Sequence, residues 1–124
     1  TAVINYCHTK EQKKEEYNRA DVAASFQCAA CDVLAERAVA AAKEYGCKTI
    51  AAGGGVIANG YLRAKLVQLC EENGFRAVLP EKKYCTDNAA MIAAEGLVRY
   101  NARDFADLSV NACAHIPLGK KGKQ

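Results

Sequence analysis

The chain has 124 residues, 51% of them apolar, no tryptophan, and a formal net charge of +3. That length allows one small domain with a real core, and an apolar fraction rich in alanine favours closely packed helices over a large aromatic core. Lys120, Lys121 and Lys123 account for the net charge, so the remainder is near neutral and charge alone calls for no polyanion partner.

No signal-peptide pattern and no long apolar run is visible, which predicts a cytoplasmic protein without a membrane anchor. The seven cysteines are odd in number and irregular in spacing, and most lie inside helical or strand patterns. They read as reduced thiols serving as small apolar residues. The chain opens at Thr1 without methionine, directly in an amphipathic run, which suggests a piece of something longer.

Residues 1–17 start apolar and become charged, with Ala2, Val3, Tyr6 and Cys7 on one helical face. His8 has no partner at metal-binding spacing and reads as an ordinary surface or half-buried histidine. A long helix is predicted from Arg19 to Tyr45, its apolar stripe formed by Val22, Phe26, Ala30, Val33, Leu34, Ala38 and Ala41. Gly46 suits the residue just past its end. Within this helix Cys28-Ala-Ala-Cys31 matches C-x-x-C, but a redox pair needs a cysteine at a helix N-terminus, where its pKa falls. A mid-helix pair is expected to be inert.

A short strand, Lys48–Ala52, runs into Gly53-Gly54-Gly55, and a helix is predicted from Asn59 to Glu72, closing with Asn73-Gly74. Leu62, Leu66 and Leu69 form its stripe, flanked by Val67 and Cys70. A second strand, Phe75–Leu79, stops at Pro80. Two strands joined by one helix should pair in parallel. A final helix is expected to start near Thr86 or Asp87 and to carry Ala90, Met91, Ala94, Leu97 and Val98. Beyond Asn101 the pattern suggests an extended strap, then a basic disordered tail over 119–124.

In an open parallel sheet, ligands bind beyond the carboxyl ends of the strands. The glycine turn and Thr86-Asp87-Asn88 both follow strands, so they should face one crevice. Glycines let backbone approach a ligand, and a helix start offers unpaired N–H groups to an anion. The turn is not a P-loop, because no Gly-Lys-Ser/Thr follows. It matches G-x-G-x-x-A as Gly53 to Ala58, but no acidic residue ends the second strand as a dinucleotide site requires, and a tight turn without a ligand is the alternative reading. Asn59 reads as a helix cap, or as a cap whose amide also reaches a ribose or phosphate. Asp87 could cap a helix, supply one metal oxygen or act as a general base, and spacing favours the cap. The sequence contains neither H-x-x-x-H nor H-E-x-x-H, and no cysteine cluster.

Three segments carry a resemblance: Ala23-Ala-Ser-Phe-Gln27; Ala-Gly-Gly-Gly-Val-Ile-Ala-Asn59 with Leu62-Arg63; and Cys85-Thr-Asp-Asn-Ala-Ala-Met-Ile-Ala93. The opening Thr-Ala-Val and the closing Leu-Ser-Val-Asn-Ala and Ile-Pro-Leu118 add to it. Together they resemble, across nearly the whole chain, the C-terminal portion of the bacterial TsaD family, tRNA adenosine threonylcarbamoyltransferases once labelled O-sialoglycoprotein endopeptidases. The resemblance implies an α/β fold: part of an actin/Hsp70-like (RNase H-like) ATPase lobe, helix-rich, in the order α-α-β-α-β-α with two parallel strands. Residues 1–118 would then be the C-terminal part of the second lobe.

The resemblance further implies transfer of threonylcarbamoyl from threonylcarbamoyl-adenylate to N6 of the adenosine beside the tRNA anticodon. By the same resemblance Gly54, Gly55 and Asn59 line the adenylate site. Asp87 becomes one ligand of a divalent metal, Fe or Zn, whose histidine ligands this chain lacks. The implied bacterial partners are TsaB and TsaE. No catalytic residue is assigned to this piece, which is expected to be inactive alone. The alternative is a non-catalytic nucleotide-binding or scaffold module of the same fold. The protease label finds no nucleophile–base pair and no zinc-protease motif here. A short apolar strand that has lost a neighbour exposes unpaired backbone groups, so the piece is also expected to self-associate.

Overall fold

The structure, a computed structural model, describes residues 1–112. The elements follow the order α1 (Ala2–Gln12), α2 (Arg19–Glu44), β1 (Thr49–Ala51), α3 (Gly60–Glu72), β2 (Arg76–Val78) and α4 (Ala89–Asn101), the α-α-β-α-β-α arrangement expected. Two compact units divide the chain after Asp87.

In the first unit, local signals set the helix ends. The Asn18 side chain accepts from Ala20 N–H at 2.9 Å and starts α2, a cap worth about 1 kcal/mol. At the other end Gly46 turns left-handed at φ 65°, with Cys47 N–H donating to Ala42 and Gly46 N–H to Lys43. This paired bonding satisfies carbonyls that the helix itself leaves open. The same device ends α3, where Gly74 has φ 70° and Phe75 N–H reaches the Cys70 carbonyl at 2.8 Å.

β1 and β2 pair in parallel with Thr49 opposite Arg76 and Ala51 opposite Val78. Each strand is shorter than the apolar runs at 48–52 and 75–79 suggest, and in each only the middle residue, Ile50 or Ala77, is half-buried. The sheet thus turns one face to the core. That core gathers Cys31 and Ala35 from α2, Leu62, Leu66 and Cys70 from α3, and Ile57 and Cys85 from the two loops that follow the strands.

The α2 stripe differs from the expected one. Its buried residues are Cys31, Ala35, Val39 and Ala42, whereas Phe26, Val33 and Leu34 are exposed. The helix is apolar on more than one face, and small side chains let α3 approach it closely, so packing selects the narrower face. On α3, Leu62 and Leu66 are buried as expected, while Cys70 replaces Leu69 as the third buried residue.

The second unit holds α4 and the segment after it. Asn88, not Thr86 or Asp87, is its N-cap, accepting from Met91 N–H at 3.0 Å. None of the α4 side chains is buried. An Arg99 guanidinium pairs with Glu95 and Asp104, both at 2.8 Å, and the Tyr100 and Phe105 rings meet edge to face. The expected basic tail at 119–124 lies outside the described residues.

Candidate functional site

β1 ends in one further ladder bond, Ala52 N–H to the Val78 carbonyl at 3.1 Å, and the glycines follow. Gly54 has φ 91°, a conformation that favours glycine, and caps a 3₁₀ turn over Gly55–Ala58. Gly53 and Gly55 have no positive φ, and a Cβ built on either would meet no atom within 4 Å. Neither conformation nor crowding among the described residues explains those two glycines. What their bare backbone offers is access from outside.

The 3₁₀ turn separates the glycines from α3, so the glycine turn does not open the helix as the dinucleotide pattern requires. Asn59 starts α3 instead: its Oδ1 accepts from Leu62 N–H at 3.0 Å. Its Nδ2 donates to Gln27 Oε1 on α2 at 3.1 Å. An amide nitrogen carries two hydrogens, so one donor remains for a ligand while the other fixes the side chain's direction. Asn59 is therefore a structural cap whose amide is pre-oriented by Gln27.

After β2, the chain passes Pro80 and Glu81, forms a 3₁₀ turn over Lys82–Tyr84, and sinks Cys85 into the core at 3% exposure. Asp87 follows, exposed. The capping role that spacing favours for Asp87 falls to Asn88, because the helix starts one residue later. Among the described residues no hydrogen bond or ion pair engages the Asp87 carboxylate.

The two loops leave the same end of the parallel pair and share the core through Ile57 and Cys85. Arg63, near the start of α3, joins them. Its Nη2 donates to the Pro80 carbonyl at 2.9 Å, and its Nη1 faces the Ile57 carbonyl at 3.4 Å and Cys85 Sγ at 3.8 Å. Cys85 Sγ–H in turn donates to the Glu81 carbonyl at 3.5 Å. Lys82 reaches over the start of α3, its Nζ lying 3.7 Å from where a Cβ on Gly60 would stand.

A second polar group crosses from α2 to α3 on the flank of the core. Tyr61 O–H donates to Asp32 at 3.0 Å, and Lys65 lies 3.7 Å from the same oxygen. Hydrogen bonding with Cys28, then with Asp32, holds the Tyr61 hydroxyl well above its ordinary pKa. Cys28 and Cys31 both sit mid-helix, half-buried and buried, and all six described cysteines are free. Burial pushes the Cys70 thiol up, with Glu71 adding to it.

His8 is exposed on α1. Among the described residues no three His, Cys, Asp or Glu side chains cluster closely enough to hold a metal. Asp87 offers hard oxygen donors and nothing more, so a metal there needs its remaining ligands from outside this set.

The model of the family described as TsaD, tRNA N6-adenosine threonylcarbamoyltransferase, matches residues 1–94. The chain belongs to the TsaD family. Among relatives named tRNA N6-adenosine threonylcarbamoyltransferase, that of Moorella thermoacetica is 47% identical over 118 residues, covering 95% of this chain and 34% of the relative. The Lactobacillus acidophilus protein is 46% identical over 122 residues, with 95% and 35% covered, and that of Caldicellulosiruptor saccharolyticus is 42% identical over 121 residues, with 98% and 36% covered. The chain spans about a third of the length of these TsaD relatives.

Gln27, Arg63 and Cys85 all lie in the segments that carry the family resemblance, yet spacing gives none of them a role. For Arg63 a signal was present: Asn59 and Arg63 are four residues apart, one helical turn, which puts both on the loop side of α3. Gln27 carries no local signal, since its partner is 32 residues away.

Proposed function

We propose that this chain is the C-terminal part of the second lobe of a TsaD-type enzyme, residues 1–118, followed by a basic tail. It supplies part of the adenylate site through Gly54, Gly55 and Asn59, and one ligand, Asp87, to a divalent metal, Fe or Zn. The parent enzyme transfers threonylcarbamoyl from threonylcarbamoyl-adenylate to N6 of the adenosine beside the tRNA anticodon, in the cytoplasm, with TsaB and TsaE. The observation that carries this reading is the bare glycine backbone beside an oriented Asn59, at the same sheet end as an Asp87 carboxylate that no described residue engages.

Each group has a definite task. The backbone at Gly54 and Gly55 admits an adenylate to contact distance, where a side chain would stand in the way. The second amide hydrogen of Asn59 donates to it, aimed by the Gln27 bond. The metal, when bound, supplies charge stabilisation to an oxygen of the reacting group. Asp87 holds one coordination position, and the other ligands and the facing lobe come from outside this chain, which alone is not a catalyst. A non-catalytic module of the same fold would leave the Asp87 carboxylate without a task. Exposed apolar side chains on α2 and on the outer sheet face, Phe26, Leu34 and Val78 among them, are where we place the missing part of the lobe. A second copy of the chain is the substitute when that part is absent.

The test uses a full-length threonylcarbamoyltransferase carrying this segment. Gly55→Val should lower calorimetric affinity for ATP at least tenfold while leaving the thermal midpoint nearly unchanged, because its Cβ enters open space and its φ is not positive. Asp87→Ala should release the metal, measured by elemental analysis, and abolish transfer to tRNA. Unchanged ATP affinity together with full metal content would overturn the proposal.

A further inference from the structure

We infer that Arg63 is a positioning residue that locks the glycine turn to the Asp87 loop, so that the bound adenylate and the metal ligand keep a fixed separation. This rests on the adenylate-site reading above.

Arg63 is the fourth residue of α3, within the first turn, where the positive end of the helix dipole disfavours a cation. Its place there needs a compensating reason, and the contacts supply one. The planar guanidinium presents several N–H donors at fixed angles. One nitrogen takes the Pro80 carbonyl on the Asp87 side; the other faces the Ile57 carbonyl on the glycine side. These carbonyls follow the ends of β2 and β1 and belong to separate loops 23 residues apart in sequence (80 − 57). The second nitrogen also lies against Cys85 Sγ, two residues before Asp87. Cys85 is buried and donates to Glu81, so the guanidinium grips the root of the Asp87 loop rather than its tip.

The geometry therefore makes a closed circuit: Asn59 at the head of α3, Arg63 one turn on, the Pro80–Cys85 loop, and back through Ile57. A ligand held at the glycine turn and one held at Asp87 are referenced to the same rigid group. In acyl transfer a displacement of about 1 Å between reacting groups costs on the order of a hundredfold in rate. A lysine keeps the charge but not the fork, and cannot hold both carbonyls in fixed directions.

The experiment compares Arg63→Lys and Arg63→Met with the unchanged full-length enzyme carrying this segment. Amide hydrogen exchange should quicken tenfold or more in both 53–59 and 81–87, while α2 keeps its protection. The kcat for transfer should fall tenfold or more in both variants, with KM for tRNA unchanged, and Lys should not rescue it. Faster exchange in one loop alone, or throughout the protein, overturns the coupling. So does a lysine variant that restores kcat. If Asn59→Ala and Asp87→Ala leave ATP affinity and metal content untouched, it is the adenylate-site reading that fails. The exchange pattern in the two loops still decides whether Arg63 couples them.

Discussion

The two faces of α2 are both apolar and have opposite fates. The inner face carries Cys31, Ala35, Val39 and Ala42, none more than 6% exposed. The outer face carries the larger Phe26, Val33 and Leu34, at 60%, 49% and 51% exposure. Size and burial thus run in the opposite sense from a simple hydrophobic ranking. Small inner residues let α2 and α3 close on each other, so that Leu62, Leu66 and Cys70 fill the space between helices and sheet. The outer face borders a groove lined by Val3, Cys7, Val22 and Phe26. One face of the helix makes the fold of this chain, and the other is available to whatever covers it.

The sharpest way to break this comparison is a pair of truncations. Leu66→Ala, in the core at 3% exposure, should cost about 2–5 kcal/mol through lost transfer energy and a cavity. Leu34→Ala on the outer face should stay within about 0.5 kcal/mol in the same chain, at a dilution that keeps it monomeric. Urea unfolding of the two variants measures both, and equal losses would mean that the outer face is packed after all.

A smaller effect is expected from filling the inner face. Ala35 is 1% exposed, and Ala35→Leu should force the helices apart at about 1–3 kcal/mol. Ala40→Leu, at an exposed position of the same helix, serves as the control and should leave the unfolding midpoint in place. A tolerated leucine at 35 would show that close helix approach is not what selects this face.

The least change concerns the flank of the same interface. Tyr61 titrates above its ordinary value of 10.0, because hydrogen bonding with Cys28 and then with Asp32 favours its neutral form. A folded pKa above the unfolded one means stability that is fully present below about pH 10 and lost as pH rises through the folded value. Ultraviolet titration of the folded chain should show a late-ionising tyrosine that Tyr61→Phe removes. The alkaline loss of stability should become shallower in that variant. An unchanged alkaline titration curve would place the late tyrosine elsewhere.

Much of the fold is legible in the sequence. Gly46 and Gly74 ended their helices as expected, because a left-handed residue just past a helix is a local requirement that glycine meets without strain. Asn59 capped α3, since the bond from its side chain to Leu62 spans only three residues. The parallel pairing followed from connectivity, as two strands joined through a helix run the same way. The resemblance of three short segments to the TsaD family was equally a property of the sequence.

Other features were settled only by packing. Periodicity could not choose between two apolar faces of α2, because the choice depends on how closely α3 approaches. The Asp87 carboxylate was expected to cap α4, yet Asn88 takes that position; two polar residues side by side are both competent caps, and the path of the chain between them decides. The bond from Gln27 to Asn59 and the grip of Arg63 on two loops join residues far apart in sequence. Sequence by itself determined what depends on energies within one turn of chain: caps, stops, strand direction and the placing of a bare glycine turn. The tertiary structure decided which face is core and which side chains steady the two loops, because those outcomes depend on contacts that exist only once the helices and sheet have closed.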